Sequence, residues 1–320
     1  MSEQAASAAV VSGSARARSL ACVIAAIALA TLNYGLTFPL LALILERQGI
    51  DHSLIGLNTA AQALAVALAA PITSRLMTAL GPRRLLLSSM GLSAAIYLTL
   101  PVWPSLWPWF PLRFLLGCCG SLIWVASEAW INAMAESRNR GRIVGIYATA
   151  SSAGMALGPL LLLVTGTSGW APFIVAALLS GLGCVAALLA GGAVPQLEGR
   201  PSRGFLQFLW LAPLPFLLNL VFAATSEAFH TFFAIFALDH RIAEQRAFLL
   251  MTVTSFGGIV LQYPMGWLAD HMNRWLLLLF CIAATIAGFM AAPPRSATRS
   301  WACRCSSSSA AASPCFTASV

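Results

Sequence analysis

The sequence has no lysine and few charged residues of any kind. Only 9% of its 320 residues are charged and 59% are hydrophobic, whereas a typical soluble domain has roughly 25% and 45–50%. A soluble core of this length could not bury so much apolar surface, but a bilayer interior makes that burial unnecessary. The composition therefore predicts an integral membrane protein.

Signals for several other classes of protein are also missing. The net charge of +8 comes from arginines spread over short loops, whereas a nucleic-acid site needs them on one face or in one run. None of the eight cysteines has the spacing of a zinc site or a CxxC motif. No nucleophile with a base and an oxyanion hole can be assembled, and no phosphate loop occurs. We therefore expect no enzyme, no metal, no cofactor and no nucleic-acid partner.

Long apolar runs dominate the chain instead. A spanning helix needs about 20 mostly apolar residues. Nine runs of this kind are predicted as helices, at 20–45, 54–80, 84–102, 106–134, 142–165, 170–192, 207–238, 246–270 and 275–292. The fold class is therefore all-α, a polytopic membrane bundle.

The polar stretches divide this bundle into blocks. Residues 1–18 are predicted as a polar N-terminal segment and 19–192 as a six-helix bundle. A polar linker at 193–206 then leads to a partial second bundle at 207–292.

The arginines predict the orientation of the bundle. With the N-terminus in the cytoplasm, the outer loops hold three arginines, at positions 47, 241 and 246. The inner loops then hold eleven, at positions 16, 18, 75, 83, 84, 138, 140, 142, 200, 203 and 274. Positive residues favour cytoplasmic loops. The bias predicts a multi-pass protein of the bacterial inner membrane with its N-terminus in the cytoplasm. We also expect the protein to be a monomer.

Two inner loops resemble each other across the blocks. Residues 71–87 read PITSRLMTALGPRRLLL, and residues 264–278 read PMGWLADHMNRWLLL. Each has a proline, a helix end, a tight turn, arginine and a leucine run. A spacing of six helices is what a parallel repeat of two six-helix halves predicts.

The second of these loops resembles a signature of the major facilitator superfamily. Gly266, Asp270 and Arg274 stand at its glycine, aspartate and arginine positions, while the first loop keeps Arg83 and Arg84 but has no aspartate. In helix 5, Gly154, Gly158 and Pro159 resemble a glycine–proline element associated with antiporters. The stretch SEAWIN at 127–132 resembles the bacterial YcaD-like subgroup. The resemblance implies alternating access between two helical bundles, with these eight residues as candidates for gating or helix packing.

Charges inside the apolar runs are the first candidates for function, because each costs at least ~2.5–3.5 kcal/mol at the centre of a bilayer. Arg113 could bind an anionic group or influence a proton site. Alternatively, it could fix helix 4 to helix 1 through backbone carbonyls or Asn33. Glu128 is expected to meet Arg75, Arg83 or Arg142 as an inner gate.

In helix 7, Glu227 and His230 are three residues apart and share a face. A carboxylate beside an imidazole is a candidate proton-coupling pair. The alternative is that both are simply hydrated near the outer mouth.

Neutral polar residues complete the candidate site. Asn33, Tyr34, Asn58 and Gln62 could line a cavity in the first block, and Asn219 and Gln262 could do so in the second. Interhelical hydrogen bonds are the commoner use of such side chains.

The last segment, 293–320, has no helical periodicity and is rich in Ser, Ala, Arg, Cys and Pro. We expect it to be a frameshift product or a disordered tail that replaces three further helices. The predicted function is secondary transport of a small molecule, with export favoured and with proton coupling at the helix 7 pair. The alternatives are a remnant that transports nothing and a membrane-embedded receptor or scaffold.

Overall fold

The computed structural model describes residues 13–135, 139–190 and 213–271, together with the single residues 276, 279, 283 and 287. Within these ranges every regular element is helical, which confirms the predicted all-α class. The long helices are α1 (Gly13–Arg47), α2 (His52–Leu80), α3 (Pro82–Thr99), α4 (Leu106–Met134), α5 (Arg140–Thr165), α6 (Ala171–Leu189), α7 (Pro213–Asp239) and α8 (Glu244–His271). A short 3₁₀ turn, Leu100–Val102, follows α3.

Successive helices run back and forth between two ends of the bundle. The Arg16 Nε donates to the Met134 carbonyl at 2.5 Å, which places the start of α1 beside the end of α4. We call this the N-terminal end. The Gln48 Nε2 donates to the Pro104 carbonyl at 2.9 Å, which places the α1–α2 loop beside the start of α4. We call this the distal end.

The helix bounds follow the apolar runs closely. The bounds of α4 coincide with the predicted 106–134, and six helices, α1 to α6, are long and apolar enough to cross a membrane. The first helix, α1, begins at Gly13, earlier than the predicted position 20 and inside the segment predicted as polar. The predicted linker and tail lie outside the described residues. So does the ninth run, except for four helical positions between 276 and 287.

The turn between α2 and α3 depends on Gly81. Its φ of +77° is a conformation that side chains with a Cβ rarely adopt. Pro82 follows at the first helical position, where its missing N–H is not needed. The tight turn predicted for the first loop copy is therefore formed by Gly81-Pro82.

Two apolar clusters hold the helices together. The first block, α1–α6, packs around α1, which contacts α5, α6 and α4. The second block, α7 and α8, docks on it through α1, α2 and α5. The distal-end cluster includes residues of both blocks, such as Leu36 and Trp109 with Ile235 and Phe248. The described residues of the cluster at the N-terminal end, such as Leu20 and Trp130, belong to the first block.

Candidate functional site

Arg113 lies in α4, roughly 10 Å from its distal start at 1.5 Å per residue, and has no exposed surface. Its Nη1 donates to Asn58 Oδ1 at 3.2 Å and to Thr59 Oγ1 at 2.9 Å, both on α2. Its guanidinium also stands over the Phe38 ring of α1, 6.0 Å from the centroid. Arg113 therefore joins α4 to α2 and α1, and the expected contact with Asn33 is not the one that forms.

The rest of this polar group lacks partners. In the described structure, Arg113 Nε, Arg113 Nη2 and Asn58 Nδ2 are buried and donate to no hydrogen-bonding partner. Leaving a buried donor unsatisfied costs roughly 1–3 kcal/mol, and more when the group is charged. Three unpaired donor nitrogens, two of them on a guanidinium, make an electropositive point inside the bundle.

Glu227 of α7 faces this point from the second block. It is half-buried, and its charge interacts electrostatically with Arg113 and with the Tyr34 hydroxyl of α1. No hydrogen bond joins Glu227 to Arg113 in the described structure. The two charges therefore attract each other across the block boundary without closing a direct salt bridge.

His230 has a different environment from Glu227. Its ring is 9% exposed, and its Nδ1 lies 2.9 Å from the Ser226 carbonyl. Because a carbonyl only accepts, Nδ1 carries the hydrogen, and Nε2 is the acceptor of the neutral ring. The ring edge packs on Phe229 at 5.4 Å. No described contact joins His230 to Glu227, and His230 is buried.

Asn33 connects helices and does not line a wide cavity. Its Nδ2 donates to the Ala176 carbonyl and to Ser180 Oγ of α6, both at 2.9 Å. The adjacent cavity, also bordered by Tyr34 and Tyr97, has a volume of about 20 Å³. That is room for about one water molecule. Asn33 therefore makes the interhelical hydrogen bonds that are the commoner use of such residues.

The distal end is closed by an ion pair between the blocks. Arg47 Nη2 at the end of α1 lies 2.7 Å from Glu244 Oε2 at the start of α8. The same nitrogen donates to Thr167 Oγ1 at 2.9 Å, in the α5–α6 loop. From the sequence, Arg47 was predicted only as an outer-loop residue, and neither Glu244 nor Thr59 was predicted as a functional residue. The signal available in the sequence was a positive charge at the outer end of one predicted helix and a negative charge beside the outer end of another.

The expected contact of Glu128 does not form in the described residues. Its Oε1 accepts from Trp124 Nε1 at 2.9 Å, one turn earlier on α4, and the side chain is exposed. Arg83 Nη2 instead donates to the Leu188 carbonyl of α6 at 2.8 Å. The pairing of Glu128 with Arg75, Arg83 or Arg142 is not among the described contacts and stays a prediction.

The sequence profile of the Major Facilitator Superfamily matches residues 23–319. The chain belongs to the major facilitator superfamily. This confirms the resemblance drawn from the loop and helix motifs, and with it a multi-pass membrane protein of a transporter family, not an enzyme.

Two similar superfamily members are bacterial. The uncharacterized MFS-type transporter YfkF of Bacillus subtilis (strain 168) is 26% identical over 271 residues, covering 81% of this chain and 68% of YfkF. The uncharacterized MFS-type transporter YcaD of Escherichia fergusonii is 27% identical over 231 residues, covering 69% of this chain and 58% of YcaD. The alignment with YcaD thus spans less than two thirds of that relative.

A solved structure with the same fold is the crystal structure of a D-xylose-proton symporter. It superimposes with a TM-score of 0.56 at 15% sequence identity, covering 80% of this chain and 69% of the symporter. This similarity concerns the fold.

The glycines of the superfamily's helix 5 element lie where α5 crosses α1. A Cβ at Gly154 would collide with the Ala28 carbonyl and Thr31, and one at Gly158 would collide with the backbone of Gly35. Pro159 is buried in the same helix. The missing side chains let the two helix backbones touch.

The remaining superfamily positions are described only in part. Gln262, Gly266 and Asp270 lie in α8, and Asn219 lies in α7. The side chains of these residues, and Arg274 as a whole, lie outside the described residues. Arg84 is exposed at the start of α3.

Proposed function

We propose that this chain is a secondary transporter that moves a small molecule across the bacterial inner membrane by alternating access. One observation carries the proposal: the two blocks share an apolar cluster and an ion pair at the distal end, where Arg47 meets Glu244. Contacts of this kind between the blocks close one end of the bundle, as one of the two states of alternating access requires.

The proposed orientation places the N-terminus in the cytoplasm, following the arginine bias of the loops. The distal end then faces outward, and this structure is the outward-closed state. Arg47 and Glu244 hold its closed gate. The cytoplasmic loops that carry Arg83, Arg84 and the Gly266-to-Arg274 signature are the proposed inner gate, with Glu128 nearby.

The proposed coupling ion is the proton, and Glu227 is the group that carries it. The charged or titratable side chains facing Glu227 from packed helices are Arg113 of α4 and Tyr34 of α1. Protonation of Glu227 would cancel its attraction to Arg113 across the block boundary and so favour separation of the blocks. Protonation of Glu227 would thereby be linked to the movement of the two blocks relative to each other.

Outward movement of the solute is the proposed direction, based on the resemblance of Gly154, Gly158 and Pro159 to the antiporter element. Bacteria expressing the chain should then hold less of the transported solute than cells with an empty vector. A higher internal content would reverse the proposed direction.

Reconstitution tests the transport itself. The full chain is placed in proteoliposomes loaded with a defined mixture of organic acids, sugars and amino acids, and release is followed by mass spectrometry with and without a pH gradient. We expect protein-dependent release of one class of solute that the gradient changes. Glu227→Gln should abolish the effect of the gradient, while Asp239→Asn, an exposed carboxylate-to-amide change at the end of α7, should not.

The other outcomes identify the rivals. Saturable binding of a solute without release would indicate a receptor or scaffold. A folded protein that neither binds nor releases any solute would be a remnant without transport activity. An unchanged response of Glu227→Gln to the gradient would remove Glu227 from the coupling proposal.

A further inference from the structure

The unpaired groups of Arg113 and Asn58 in the described structure are all donors. They are the Nε and Nη2 of Arg113 and the Nδ2 of Asn58, on two residues with no exposed surface. Asn58 and Thr59 already hold the third guanidinium nitrogen, Nη1, from the α2 side. Buried polar groups are nearly always paired, so a buried set of donors alone calls for an acceptor from outside the set. The acceptor has to be an oxygen-bearing group, preferably an anion.

The free edge of the guanidinium defines the shape of that anion. Nε and Nη2 project two parallel N–H bonds, and this fork fits the two oxygens of a carboxylate. Arg113 is the one fully buried arginine among the described residues. A single buried positive charge balances a single carboxylate, so a monocarboxylate fits better than a dicarboxylate.

An aromatic surface lies next to this edge. The Phe38 ring is under the guanidinium, and Tyr34 stacks on Phe38 with centroids 5.5 Å apart and an interplanar angle of 17°. Aromatic faces beside a charged anchor suit a ligand with an apolar or aromatic body. Tyr34 is half-buried, so the surface continues beyond Arg113.

We propose that Arg113 and Asn58 bind the carboxylate of a small organic monoacid, which is the substrate of the transporter proposed above. Glu227 is the internal competitor, because its carboxylate interacts with the same guanidinium from the second block. A bound acid replaces Glu227 as the counterion of Arg113. Since Arg113 has no exposed surface in this structure, the acid reaches it when the distal contacts between the blocks open.

Binding of benzoate to the full chain in detergent, measured by titration calorimetry, tests this site directly. Benzamide has the same ring without the charge and serves as the matched control. We expect benzoate to bind and benzamide not to bind at a tenfold higher concentration. Benzamide that binds as well as benzoate would overturn the proposal, and inorganic phosphate that binds in place of benzoate would overturn the assigned ligand class.

Variants then locate the benzoate. Arg113→Lys keeps the charge but loses the fork, and we expect about tenfold weaker binding, the loss of one hydrogen bond to a charged group. Asn58→Asp keeps an acceptor for Arg113 and adds a competing carboxylate, so binding should weaken by about 100-fold. Glu227→Gln removes the internal competitor and should tighten binding, whereas Asp239→Asn at the exposed end of α7 should change nothing.

Asn58→Asp also protects the test against misfolding, because the guanidinium keeps its partner on α2. If Asn58→Asp and Arg113→Lys both bind benzoate like the wild type, the site is elsewhere. The vesicle experiment separates this proposal from the transport proposal. Benzoate binding without release would support the binding site and contradict transport. Release of solutes without preference for carboxylates would support transport and contradict the binding site.

Discussion

Arg47 and Glu244 lie 197 positions apart in the sequence, yet their side chains meet at 2.7 Å and connect α1 to α8. Each belongs to a different block, and each stands at the distal end of its helix. The pair is partly exposed, with side-chain accessibilities of 43% and 25%. The ion pair therefore contributes only a modest energy to the distal contact between the two blocks. Opening that contact would move one block relative to the other.

Breaking this pair should loosen the distal closure. An exposed ion pair is worth about 0.2–1 kcal/mol, so Glu244→Gln should raise the fraction of open molecules by at most roughly fivefold. Thr252→Cys, buried at 6% exposure on α8, reports the opening through its rate of alkylation by a membrane-impermeant maleimide. The charge-swapped Arg47→Glu/Glu244→Arg protein should return toward the wild-type rate. Equal rates in all three proteins would show that the pair has no part in closure.

Gly158→Ala should destabilise the protein, because the new Cβ would collide with the backbone of Gly35 on α1. Overpacking of this kind costs typically ~1–3 kcal/mol. Thermal unfolding in detergent measures the loss. Gly181→Ala in α6 is the matched control, since nothing lies within 4 Å of its Cβ position. The control should unfold at the wild-type temperature or slightly above it, because alanine is the better helix former. Equal unfolding temperatures of the two variants would contradict the close α1–α5 contact.

Asn33 and Ser180 should be energetically coupled. The Asn33 Nδ2 donates to Ser180 Oγ at 2.9 Å between α1 and α6. Hydrogen bonds between membrane helices average about 0.6 kcal/mol, with a maximum near 1.7. A double-mutant cycle of Asn33→Ala and Ser180→Ala, read by unfolding free energy, should give a coupling in this range. Strict additivity would mean that the bond contributes nothing, although Asn33→Ala alone should still lose the bond to the Ala176 carbonyl.

Asp51 should make the start of α2 sensitive to acid. The hydroxyl of Ser53, and then its backbone N–H at 2.9 Å, hold the pKa of Asp51 below its ordinary value. A carboxyl group whose pKa is lower in the folded state stabilises that state above the unfolded pKa, about 3.9, and loses this effect as the pH falls through the folded pKa.

Asp51→Asn keeps the acceptor but does not titrate. The difference in unfolding temperature between wild type and Asp51→Asn should therefore be largest above about pH 4 and shrink toward pH 3. A constant difference over this range would show that Asp51 does not titrate differently in the two states. Ser53→Ala removes the hydroxyl donor and should reduce the pH dependence in the wild-type background.

The sequence by itself determined the membrane class, the positions of the helices and the family. These follow from local properties: an apolar run of about 20 residues needs no partner to be recognised, and Gly81-Pro82 specifies its turn through its own backbone. Arg113 was also identifiable as a special residue, because a charge inside an apolar run is costly wherever it points.

Only the tertiary structure decided which residues meet. The 3.6-residue period tells which side chains share a face of one helix, as with Glu227 and His230, but not which helix that face meets. Packing turned Arg113 toward Asn58 and Thr59 of α2 and not toward Asn33. Glu128 paired with its own helix, and Arg47 reached Glu244 in the other block. Each of these contacts depends on the rotation and crossing of whole helices, which is set by the summed packing of their apolar faces and not by the charged residue itself.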